Sequence, residues 1–225
     1  MFNHKFMNQN NSTYYKIFIG LCLFILGAIL TGIATLIRDW WRLRKEKLST
    51  AYAFKGEIET ILEIVKKRQY VELLDNLIKD KKTKLDELIR QGNNKSLTDL
   101  ERNLRKAKIL KLLSSLTFQV NRDVFFVKNT LKDKIGLLGE AAKNIVLFYG
   151  YCNAFILDIK ENVENNKKYH QLITQGNIPY NIDIVVKGII GRDEEILKIA
   201  EEIIKSGDES IKELNKFISK LCWLC

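Results

Sequence analysis

Residues 17–37 read IFIGLCLFILGAILTGIATLI, an unbroken apolar run without a charged side chain. At about 1.5 Å per residue a helix of this length covers about 30 Å, the thickness of a bilayer's hydrocarbon core. Apolar residues occupy every face rather than one stripe, which argues against a surface or core helix of a soluble domain. Gly32 and Ala34 have the spacing of a signal-peptidase site. The run is nevertheless longer than the about 7–15 residues of a signal core, and a basic cluster directly behind a cleavage point opposes export. The run reads as a transmembrane helix.

Flanking charge gives it a direction. Lys5 and Lys16 precede the span, whereas Arg38, Arg42, Arg44, Lys45 and Lys47 follow it. The positive-inside bias predicts an extracytoplasmic tail over 1–16, a span over 17–37 and a cytoplasmic domain over 38–225, in a bacterial inner membrane. Tyr14 and Tyr15 on one side and Trp40 and Trp41 on the other fall where amphipathic rings prefer the headgroup level, with Arg38, Arg42 and Arg44 beside them. Gly20, Gly27, Thr31 and Ala34 share one face of the span, a candidate contact surface for a second helix and hence for homo-oligomers.

The domain beyond the span is long enough for one core. The chain holds a single proline, Pro179, and lacks the regular turn signals that strands require. The expected class is therefore all-α: an irregular bundle of about five to seven helices continuing from the span. The formal charge of +10 is uneven, at +2 over 1–37, +4 over 38–91, +6 over 92–135 and −2 over 136–225. A basic region next to a span suits anionic inner-leaflet lipid. Arg102, Arg105, Lys106, Lys108 and Lys111 form the densest basic stretch, but they lack the interleaved aromatics of a nucleic-acid surface, so no nucleic acid is expected and a solvated or lipid-facing helix face is.

Helical periodicity locates the core. Ala51, Phe54, Ile58, Ile61, Leu62 and Val65 form one stripe. A second helix over 70–90 offers Leu73, Leu74, Leu77, Ile78, Leu85 and Leu88, and its charged stretch 79–84 reads as a solvated face. A turn follows at 91–94. Ser96 with Asp99 resembles an N-cap for a third helix running to about Val120, apolar at Leu97, Leu100, Leu104 and Ala107 and almost wholly apolar over 109–116. A short helix is expected from Asn121, carrying Val124, Phe125 and Val127. The glycine-bounded connector 134–140 leads into a helix over 140–164, with Ile145, Phe148, Cys152, Ile156, Ile159 and Val163 on one face. Residues 165–181 are polar and read as a loop. Segments 182–206 and 208–221 line up Ile196, Ala200, Ile203, Ile211, Leu214, Ile218 and Leu221, either as two helices or as one weakened at Gly207.

Four stretches together resemble a group of uncharacterised bacterial inner-membrane proteins: Ala53-Phe54-Lys55-Gly56-Glu57-Ile58-Glu59, Val124-Phe125 with Asn129, Lys134-Ile135-Gly136-Leu137-Leu138, and Ile145-Val146-Leu147-Phe148-Tyr149. Members share one amino-terminal span, a helical cytoplasmic domain and the mid-domain Lys-apolar-Gly-Leu-Leu … Phe-Tyr pattern. The likeness covers about residues 17 to 165, with Phe126 standing where an acidic or small residue is usual. It implies topology and bacterial origin, and no reaction.

No catalytic constellation is legible. Cys222-Trp223-Leu224-Cys225 has redox or metal spacing, but structural zinc wants four ligands; lipidation of a C-a-a-X-like tail is a further option. An apolar tail packed on the bundle is the simpler expectation. Adjacent carboxylates such as Asp193-Glu194-Glu195 do not face one another on a helix, and suit a helix amino terminus. Cys152 is set among apolar residues, which disfavours a thiolate paired with His170 in the expected loop. No catalytic, metal or cofactor-binding residue is therefore assigned. The expected role is a membrane-anchored, non-enzymatic helical adaptor binding an unidentified protein; the alternative is an oligomerising single-span sensor or effector, of a stress or phage-defence type, that acts on the membrane.

Overall fold

The computed structural model describes the backbone of residues 3–92, 98–118, 120, 132–177 and 181–223, and side chains from residue 16 onward except those of 17, 88 and 91 within that range. The protein is all-α, with no strand among the described residues. Helix α1 runs Asn3–Lys67, α2 Tyr70–Gly92, α3 Asp99–Ser115, α4 Ala141–Thr174 and α5 Ile182–Cys222, and a 3-10 turn spans Ile135–Leu138 before α4. The chain divides into two compact units, Met1–Ser49 and Thr50–Cys225.

The first unit is the amino-terminal part of α1. Among the described residues one helix is long and apolar enough to cross a membrane, and it is this one. Its most apolar window has a mean hydropathy of 2.4, and none of that window is buried. Phe18, Leu23, Phe24, Leu30 and Leu36 stand exposed in all directions.

The second unit is a helical bundle. Within it the 50–67 part of α1 buries Ala51, Phe54, Ile58, Ile61, Leu62 and Val65, the full stripe that the sequence predicts. Each such apolar side chain removed from water contributes about 1.5–3 kcal/mol. Gln69, at φ 51°, turns the chain from α1 into α2. From α4 come Ile145, Phe148, Cys152, Phe155, Ile156 and Ile159, and from α5 Ile196, Ala200, Ile203 and Leu214. An edge-to-face ring pair joins α1 to α4, Phe54 and Tyr149 with centroids 6.2 Å apart, and Tyr149 also meets its α4 neighbour Phe148 edge to face at 5.2 Å. A second cluster joins Ile78 of α2 and Leu110 and Leu113 of α3 to Ile182, Val186, Ile189 and Ile190 of α5.

Helix α5 is continuous through Gly207. A Cβ at this glycine would lie 2.7 Å from Leu62 Cδ2 and 2.9 Å from Phe148 Cε2. The missing side chain is what lets three helices meet there, so Gly207 is a packing residue and not a break. Ser206 and Ser210 flank it, both buried, and each donates its hydroxyl one turn back, to the carbonyls of Glu202 and Ser206.

Several sequence expectations need correcting. Helix α3 is capped by Thr98, whose side chain accepts from the Glu101 N–H while the Glu101 carboxylate accepts from the Thr98 N–H, two residues later in the chain than the expected Ser96 signal, and the helix ends at Ser115 rather than near Val120. Its inward face is Ala107, Leu110, Leu113 and Ser114, whereas Leu100 and Leu104 are exposed. Leu73 of α2 is also half exposed. Helix α4 runs on to Thr174, ten residues past the predicted end, because Asn162 and Asn166 are buried in its interior face. Asp193 lies more than two turns inside α5 and not at its start. Ser96, the expected helix at Asn121, Val124, Phe125 and Val127, and Pro179 lie outside the described residues.

Candidate functional site

The most constrained polar group of the domain lies where α2, α4 and α5 meet. The Lys81 ammonium donates to Asp193 Oδ2 at 2.6 Å, and both side chains are fully withdrawn from solvent, at 0% and 1% exposure. Asn162 Nδ2 donates to the other carboxylate oxygen, Oδ1, at 2.7 Å. Asn166 Nδ2 donates in turn to Asn162 Oδ1 at 3.4 Å. Spacing of four residues puts Asn162, Asn166 and His170 on one flank of α4. Three helices are therefore pinned by one carboxylate, with Lys82–Glu194 (2.7 Å) and Arg192–Glu161 (2.9 Å) forming an exposed rim. A buried pair is stable only when its remaining lone pairs are also satisfied, and Asn162 supplies that bond.

Sequence reasoning missed this group. The expected solvated face at 79–84 holds a buried lysine, and the acids at 193–195 are split between a buried Asp193 and an exposed rim. The available signal was positional: Lys81 falls three residues after Ile78 and seven after Leu74, on the apolar stripe of α2. Asp193 likewise falls three residues before Ile196 on the stripe of α5.

Beyond Asn166 the polar track reaches a pocket of about 290 Å³, lined by Ser114 and Ser115 at the end of α3 and by Lys167, His170 and Gln171 of α4. The hydroxyls of Ser114 and Ser115 are already given to the carbonyls of Lys111 and Leu112, so both serines face the pocket as acceptors and not as activated nucleophiles. His170 Nδ1 and Asn166 Oδ1 are buried without a hydrogen-bond partner. His170 belongs to helix α4 and not to a loop. Cys152 stands 18 residues before it on the same helix, about 27 Å away at about 1.5 Å per residue, so the two cannot form a nucleophile–base pair. Burial pushes the Cys152 thiol far above its usual range. Burial, with the Glu57 carboxylate adding to it, does the same to the Tyr149 hydroxyl.

Among the described residues no group of three or more His, Cys, Asp or Glu side chains is positioned to hold a metal ion. Cys222 is exposed and Trp223 is 90% exposed, so this stretch does not pack on the bundle as expected; Leu224 and Cys225 lie outside the described residues.

Past the apolar run, Trp40 and Trp41 meet edge to face with centroids 5.5 Å apart. The Arg44 guanidinium lies over both rings, 5.2 and 5.5 Å from their centroids. Spacings of three and four residues make this geometry available on one helix face. Arg44 is buried, whereas Arg38 and Arg42 are exposed, so the basic residues that follow the apolar run have different surroundings. The side chains of Tyr14 and Tyr15 lie outside the described residues.

Within the apolar run, a shallow groove follows Gly27, Ala28, Thr31, Gly32 and Thr35. Thr31 Oγ1 donates to the Gly27 carbonyl at 2.8 Å and Thr35 Oγ1 to the Thr31 carbonyl at 2.9 Å, which leaves no hydroxyl proton free on this face. Gly27 and Thr31 of the predicted contact face line the groove, but Gly20 and Ala34 do not.

No protein-family model, curated protein or solved structure matches the chain.

Proposed function

We propose that the protein is a membrane-anchored, non-enzymatic adaptor whose helical domain binds a protein partner in the cytoplasm. The observation that carries the reading is the wholly exposed apolar helix over 18–37, which only lipid or another apolar helix satisfies. The Trp40–Trp41–Arg44 cluster beside it has the chemistry of an interfacial anchor. The five basic residues after the span support a cytoplasmic carboxyl side in a bacterial inner membrane, the topology of the protein group that the sequence resembles. A polar group spent on joining helices supports a binding scaffold better than a reaction centre.

Two results are expected. The full chain stays with membranes after alkaline carbonate extraction. A membrane-impermeant maleimide labels the exposed Cys222 in inside-out vesicles but not in intact spheroplasts, and leaves the buried Cys152 unlabelled until the protein is unfolded. Release by carbonate would remove the anchor; labelling of Cys222 from outside would reverse the orientation. A discrete cytoplasmic protein copurifying in mild detergent is expected on the adaptor reading, and its absence counts against it.

The groove at Gly27, Thr31 and Thr35 favours a second reading, in which the span self-associates and the protein is a sensor or effector acting on the membrane. In a reporter of transmembrane association, Gly27→Leu is expected to abolish the signal of the native span. Toxicity on overexpression is expected on this reading; a native span without signal, or toxicity that Gly27→Leu leaves unchanged, rejects it.

A further inference from the structure

Helix α3 carries leucines on the side that the bundle leaves open. Leu100, Leu104 and Leu112 are 72%, 58% and 46% exposed, while Ala107, Leu110 and Leu113 fill the inward side. Leu100, Leu104, Lys108 and Leu112 follow one another at intervals of four residues, and so form one outward row of the helix. Arg105 and Lys111 flank this row, and all three basic side chains are exposed. Within α3 the acidic residues are Asp99 and Glu101, and both are engaged: Glu101 in the capping box with Thr98, which holds its carboxyl below the usual range, and Asp99 with Arg102 at 2.9 Å. The outward face is thus apolar and cationic at once.

From this pattern we propose that the outward face of α3 docks on an anionic phospholipid surface, with the three leucines entering the headgroup–acyl boundary and Arg105, Lys108 and Lys111 meeting lipid phosphates. The inference rests on the reading of the apolar run as a membrane anchor. Three features select lipid as the occupant. Basic residues over leucines match an interfacial helix, in which long cationic stems lie along apolar surface and raise their charges to the headgroups. A second copy of the same face would set cation against cation. The anchor holds the domain beside the bilayer, where even a weak second contact is occupied through a high effective concentration. Each basic residue near an anionic surface strengthens attachment about fivefold, with a reach of about 8 Å at physiological salt.

The test uses the full chain with p-benzoylphenylalanine in place of Leu104, reconstituted into nanodiscs of phosphatidylcholine alone or mixed with phosphatidylglycerol, then irradiated and weighed intact. The expected result is a lipid adduct at position 104 that is about tenfold or more abundant in the anionic discs and falls in high salt. The same probe at the comparably exposed Ile184 of α5 should show no dependence on lipid charge. Combined Arg105→Gln, Lys108→Gln and Lys111→Gln should reduce the anionic yield to that of neutral discs. Equal yields in both lipids, a crosslinked pair of chains, or no adduct overturns the docking face. Failure of the chain to comigrate with the discs on size exclusion overturns the anchor itself, and is read before irradiation.

Discussion

Lys81→Met is expected to destabilise the domain by about 3–5 kcal/mol, the cost of leaving Asp193 charged and unpaired in the interior. The carboxylate would keep the single bond from Asn162, and no solvent reaches it to replace the ammonium. Asp193→Asn should cost a similar amount, because it strands the lysine. The informative variant is the double one. Lys81→Met with Asp193→Asn removes both charges and retains an acceptor for Asn162, so it should regain about 2 kcal/mol over either single change. For a chain of this length 3–5 kcal/mol corresponds to about 6–20 °C in melting temperature, read by circular dichroism of the full protein in detergent. Additive losses in the double variant would show that the pair is not coupled.

Gly207→Val is the second large effect. Even a methyl group at this position would lie 2.7 Å from Leu62 Cδ2 and 2.9 Å from Phe148 Cε2, inside contact distance of two buried side chains. A branched side chain adds more volume to a junction without room, and overpacking of this kind costs about 3 kcal/mol. Gly207→Ala is the control that separates the two forces at this site. Its clash is partly offset by about 1 kcal/mol of helix propensity, so it should destabilise far less. Pairing Gly207→Val with Leu62→Ala should restore part of the loss by opening the space that the new methyl groups occupy. A Gly207→Val protein as stable as the native one would mean that the three helices do not meet there.

The apolar architecture was legible because it is periodic. Phe54, Ile58, Leu62 and Val65 repeat at helical spacing, as do Ile145, Phe148, Cys152 and Ile156, and all of them are buried. The polar architecture was not legible, because nothing local records a partner 112 residues away. Lys81 has the chemistry of its exposed neighbours, and only its place on the apolar stripe of α2 sets it apart; its partner is not written locally. The same blindness ended α4 early: Asn165, Asn166 and His170 read as loop composition, yet helix positions beside a buried polar group also call for amides. At α3 the error ran the other way. Leu100 and Leu104 carry an apolar pattern that the bundle does not use, since hydrophobicity alone does not say whether protein or another phase covers a side chain.

The separation of Lys81 from Asp193 also sets a timetable for the nascent chain. At about 5–20 residues per second, 112 residues take about 6–22 s to synthesise. Throughout that interval α2 has emerged with a lysine on its apolar stripe, and the carboxylate that allows the stripe to close has not yet been made. Helix α2 consequently lacks its native partner until Asp193 has been made; it waits for α5. A growing chain of this design shows proteases and chaperones an unclosed apolar surface until α5 is made.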